Sequence, residues 1–119
     1  MLFRSAARDA ANAKMIEDPR MEGMAKDMPF DGSRMIYAGF DVINEEGSAG
    51  SFGYLDGVVV PAKADKKDAY VAFSKTAAQV FLEHGATRVV DAWGDDVPDG
   101  KQTDYKRATQ LQEIGRAHV

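Results

Sequence analysis

Apolar and polar positions change their period several times along this chain, and each change marks an element. Ala7, Ala11, Met15 and Ile16 share one stripe of a 3.6-residue repeat, so a helix is expected over residues 6–17, with Ser5 as its cap. Asp18-Pro19 restarts the chain. Asp18 suits an N-cap, and Pro19 suits a first helical position, where its missing N–H has no partner to lose. A short helical turn carrying Met21 and Met24 should follow. Pro29, Asp31 and Gly32 signal a turn. From Arg34 to Ile43 the period drops to two, and Ile36, Ala38, Phe40 and Val42 fall on one face. This predicts a strand with that face buried.

Residues 44–51, NEEGSAGS, read as a polar linker. A second strand is expected from Phe52 to Pro61, strengthened by Val58, Val59 and Val60 and weakened by Gly53 and Gly57. Asp65 and Asp68 form a variant capping box ahead of the strongest element. There Tyr70, Phe73, Ala77, Val80 and Phe81 recur at helical spacing, and Gly85 supplies the left-handed stop. A third strand should run from Thr87 to Trp93. Gly94 to Lys101 is a turn-rich loop, and residues 107–112 make a poor strand. The order helix, strand, strand, helix, strand and tail suits an α+β layer with helices on one sheet face.

Several runs sharpen this picture. ARDAANAKMIEDPRM (7–21), MPFDGSRMIYAGF (28–40), GYLDGVVVPAKADKKDAY (53–70), EHGA (83–86) and DDVPDGKQTDYKRA (95–108) resemble the YbaA-like proteins. That bacterial family of unknown function carries domain of unknown function 1428. The resemblance implies a ferredoxin-like antiparallel sheet of the dimeric α/β-barrel type with two helices on one face. It also implies an unusual order, because the family begins at the equivalent of Gly53 and ends near Asn44. Residues 1–112 are then one circularly permuted domain, with 44–51 joining the former ends. Ser33 stands where the family usually has Lys, and Ala38 where it often has Gly. One apolar strand, between the DDVPDGK loop and the ARDAAN helix, is missing. In the expected sheet Met35–Ile43 and Phe52–Val60 form an antiparallel hairpin. The tail near 108–112, or a strand from another chain, fills the vacant slot.

The last seven residues, EIGRAHV (113–119), back-translate into a string resembling a DNA-sequencing adapter, so the tail is expected to be non-native.

Composition narrows the function classes. A chain of 119 residues with 45% hydrophobic and 29% charged side chains is ordinary for a soluble domain. A cytoplasmic location is the expectation, with no membrane partner, since no apolar run approaches a span of about 20 residues. The net charge of −4 opposes broad phosphate contact, so nucleic acid is an improbable partner. With no cysteine, thiolate chemistry and disulfides are excluded.

Candidate chemistry is thin. From Asp95, a calcium loop would place Val97 at position three and Lys106 at position twelve, so the acidic loop fails that pattern and reads as a turn. No metal site and no cofactor is expected. His84, at the end of the long helix, is a weak candidate general base; the helix dipole favours a histidine there in any case. Arg34 is a candidate for an anionic ligand, against an intramolecular ion pair with Asp18 or Asp31. Tyr37, Tyr54 and Trp93 are candidates to line a small-molecule cleft on the open sheet face. The competing role for that face is packing against a second subunit, which the resemblance implies and which an uncovered sheet face requires. The leading expectation is a homodimeric binding or structural domain without assigned chemistry. The alternatives are a cofactor-independent oxygenase-like enzyme, by analogy with other dimeric α/β barrels, and association with signal-recognition-particle RNA, a label some look-alike members carry.

Overall fold

Backbone placement in the computed structural model is described for residues 2–48, 50–110 and 116–118. The chain divides into two units, Met1–Met35 and Ile36–Val119.

The first unit is helical. Helix α1 spans Leu2–Glu17. It starts earlier than expected, so Ser5 lies within the helix and not at the cap position. Asp18 then caps α2 (Pro19–Lys26) as its type predicts, its carboxylate accepting from the Arg20 N–H at 2.9 Å with Pro19 opening the helix. After α2, Asp31 caps a short 3-10 turn, Gly32–Arg34, by accepting from the Ser33 N–H at 3.0 Å. This is the turn expected from Pro29, Asp31 and Gly32.

The second unit is α+β. Strand β1 is Gly39–Gly47, β2 is Val60–Ala62, β3 is Arg88–Asp96 and β4 is Arg116–His118. They form one antiparallel sheet in the order β1-β3-β4-β2. Helix α3, Lys67–Glu83, packs on β1 and β3. A single turn, α4 (Tyr105–Ala108), follows the acidic loop. The α+β class with an antiparallel sheet is therefore present.

The strand pairing differs from the expected hairpin. β1 and β2 occupy opposite edges of the sheet, and β1 takes β3 as its neighbour. The cause lies in the two segments. Residues 44–47, expected as linker, continue β1 and pair Asn44 with Asp91 through to Gly47 with Arg88. Most of 52–59 stays outside the ladder, as Gly53, Asp56 and Gly57 disfavour a strand there. The slot between β3 and β2 is filled by β4. Residues 105–108 instead form α4, because the Asp104 side chain accepts from the Arg107 N–H at 2.8 Å and starts a helical turn. Residues 111–115 and 119 lie outside the described set, and so does that part of the tail.

The start of α3 also differs. Asp65 sits within a 3-10 turn, Ala64–Lys66, closed by Lys66 N–H to the Lys63 carbonyl at 3.0 Å, so the helix begins at Lys67 with no side-chain cap. Its end is as expected, with Gly85 at φ +107°.

Candidate functional site

Alternation along β1 and β3 decides which side chains meet α3. A register shift between Val42 and Asn44 switches the parity of β1, so Asp41 before it and Asn44 and Glu46 after it face the helix. Their partners Trp93, Asp91 and Val89 share that side. Phe40 and Val42, expected to be buried, face the other way; Phe40 meets Tyr105 edge-on at 5.2 Å.

The seam beneath α3 is polar at its centre. The Tyr70 hydroxyl donates to Asp91 Oδ1 at 2.9 Å. The Asn44 amide donates to the Ser74 hydroxyl at 3.4 Å, and both residues are buried. Trp93 is 4% exposed and lies 5.8 Å from the Tyr70 ring, with Lys67 Nζ 6.0 Å from its centroid. At the far end of the helix, Gln79 donates to Glu46 at 2.8 Å.

Burial and the facing Asp91 carboxylate both penalise a phenolate, so the Tyr70 hydroxyl is pushed up to about 12. Tyr70 therefore keeps its proton throughout the physiological range and can donate it to Asp91. This seam holds a helix on a sheet; among the described residues no group of His, Asp or Glu side chains is placed to hold a metal ion.

A second polar knot closes the acidic loop. The buried Asp104 carboxylate accepts from the backbone N–H groups of Arg107 (2.8 Å) and Gly100 (3.2 Å) and pairs with Arg107 Nε at 3.3 Å. The Arg107 guanidinium donates onward to the Gly100 carbonyl at 2.7 Å. The backbone donors, with Arg107 and Lys106 nearby, hold this carboxyl below the usual range against the cost of burial.

The residues singled out from sequence are dispersed in role. Arg34 pairs with Asp31 at 2.9 Å within the first unit, the ion-pair alternative weighed for it. His84 is exposed at the end of α3, its N–H bonded to the Val80 and Phe81 carbonyls. Tyr37 is exposed and Tyr54 is 84% exposed. Trp93 alone enters the seam. Tyr70, Asp91, Asn44 and Ser74 were missed as a group. The helical stripe contained Tyr70, but nothing local marks Asn44, inside an apparent linker, as a buried strand residue. In the first unit, a shallow hollow of about 240 Å³ is lined by Met15, Asp18, Arg20, Met21 and Met24. Its carboxylate is already held by Arg20 at 2.6 Å.

An antiparallel sheet carrying one long helix, with a polar seam between them and a carboxylate-locked loop after the third strand, defines an α+β domain. The chain belongs to the family described as "Protein of unknown function (DUF1428)", whose family model matches residues 53–115. It is 52% identical over 60 residues to the "Uncharacterized protein YbaA" of Escherichia coli strain K12, and equally to that of Shigella flexneri. Each match covers 50% of this chain and 51% of the relative, so the chain spans about half the length of these curated relatives. No solved structure matches the chain significantly. No helix among the described residues is long and apolar enough to cross a membrane.

Proposed function

We propose that this protein is a cytoplasmic binding or structural domain that works as a homodimer, with the open face of its sheet covered by a second copy. One observation carries the reading. On the face opposite α3, Val42 and Val90 are 41% and 47% exposed although both sit inside paired strands. Aliphatic strand positions left open in this way call for cover. Phe40 and Tyr105 close one end of that face, so a facing sheet would contact a patch with a defined rim. Within the seam, the high proton affinity of Tyr70 and its engagement by Asp91 support a structural role over a catalytic one.

The test is sedimentation equilibrium on the full chain and on Val90→Lys. A dimer whose dissociation constant rises at least tenfold in the variant is the expected result. A monomeric wild-type chain at high micromolar concentration would remove the reading.

A further inference from the structure

Residues 52–59 lead directly into β2, which is an edge strand. Among the described residues they pair with no strand. Phe52, Tyr54, Leu55, Val58 and Val59 are all exposed, Leu55 at 77%. Phe52 and Tyr54, 58% and 84% exposed, are each of a size that buries about 150–250 Å² when covered. Edges are normally guarded by Lys, Pro or short length. β2 itself is guarded in this way, being three residues long with Pro61 at its centre, but between residues 50 and 59 Asp56 is the sole charge and there is no proline.

We propose that residues 52–59 pair antiparallel with the same residues of a second copy, across a two-fold axis at Leu55. The segment is complementary to itself, as an isologous contact demands. With Leu55 opposite its own counterpart, Phe52 falls opposite the second copy's Val58, Gly53 opposite its Gly57, and Tyr54 opposite its Asp56. An aromatic–β-branched pair is a favourable cross-strand combination. The Tyr54 hydroxyl gains a carboxylate acceptor on the neighbouring strand. A register one step along, centred on Asp56, would set two like charges face to face, which is unfavourable. The single charge therefore favours the Leu55-centred alignment over the Asp56-centred one. The pairing also supplies partners for main-chain groups of residues 52–59, which take no part in a ladder among the described residues. It uses the segment leading into an edge strand, whereas the open-face contact uses a surface. The choice of a second copy as partner rests on the self-association reading.

The chain has no cysteine, so Leu55→Cys introduces a single thiol on the axis. Mild oxidation of the full-length variant should yield a disulfide dimer at least tenfold faster than Lys75→Cys, an exposed control on α3. Adding Val58→Pro to Leu55→Cys should return the rate to that of the control. Equal rates for Leu55→Cys and Lys75→Cys overturn the strand contact, whatever the fold of the proline variant. The two readings separate cleanly. A wild-type dimer weakened by Val90→Lys but without fast Leu55→Cys cross-linking leaves the face contact and removes the edge contact. Fast cross-linking with no effect of Val90→Lys does the reverse.

Discussion

Tyr70 on α3 and Asp91 on β3 are 21 residues apart and joined by a 2.9 Å hydrogen bond from phenol to carboxylate. The bond ties the helix to the sheet beside Trp93, which packs on the same tyrosine ring. Removing the hydroxyl in Tyr70→Phe leaves the Asp91 carboxylate without that donor. A loss of about 1 kcal/mol is expected, below the roughly 1.5–3 kcal/mol range for a charged partner because the site is only partly buried. Urea denaturation measures it, and an unchanged midpoint would show the bond to be incidental.

The same pair sets an alkaline limit. The folded state holds the Tyr70 proton up to about 12, above the usual tyrosine value of 10.0. The stabilisation is complete below pH 10 and is lost as pH rises toward 12, because the unfolded chain releases this proton first. Stability measured across that window should fall less steeply in Tyr70→Phe than in the wild type.

Asp104 predicts the opposite limb. Its carboxyl is held below the ordinary value by the Arg107 and Gly100 amides and by Arg107 itself. Its contribution is present above the unfolded carboxylate value of about 3.9 and disappears as pH drops through the lower folded value. In Asp104→Ala the amides of Gly100 and Arg107 lose their acceptor. Hydrogen exchange at both should accelerate at neutral pH, with the wild type approaching the variant in acid.

Asn44 and Ser74 offer a test of asymmetry. Ser74→Ala leaves the Asn44 amide buried without its acceptor, costing about 1–3 kcal/mol. Replacing both, as Asn44→Val with Ser74→Ala, should recover part of that loss, since no polar group is then stranded. A double variant less stable than the single one would argue against this account. Thermal melts of the two variants and the wild type suffice.

Gly47 ends β1 at φ +98°, and a Cβ there would press on the Thr87 carbonyl, which accepts from the Ser48 N–H at 2.9 Å. Gly47→Ala should cost on the order of 1–3 kcal/mol and lower the melting temperature. A gain in stability on this substitution would contradict the left-handed turn.

Periodicity, and the cap at Asp18, both local, were legible along the chain, whereas the caps read at Ser5 and Asp65 were not. The stripe from Tyr70 to Phe81 and the stop at Gly85 placed α3, and Asp18 with Pro19 placed α2, because those signals depend on neighbours within a turn or two. The family resemblance was legible too, through GYLDGVVVPAKADKKDAY. Of the seam, Trp93 alone stands among the site candidates that the sequence offers.

Strand partnership was decided elsewhere. Whether residues 35–43 paired with 52–60 depended on competition among edges far apart in sequence, and β3 won β1 through a ladder running from Gly39 opposite Asp96 to Gly47 opposite Arg88. The shift between Val42 and Asn44 then reversed which side chains faced the helix, carrying Asn44 inward and Val42 outward. Hydrophobic order along a strand reports only that two faces differ. Which face is covered, and by what, is set by long-range packing that a chain of residues read singly does not contain.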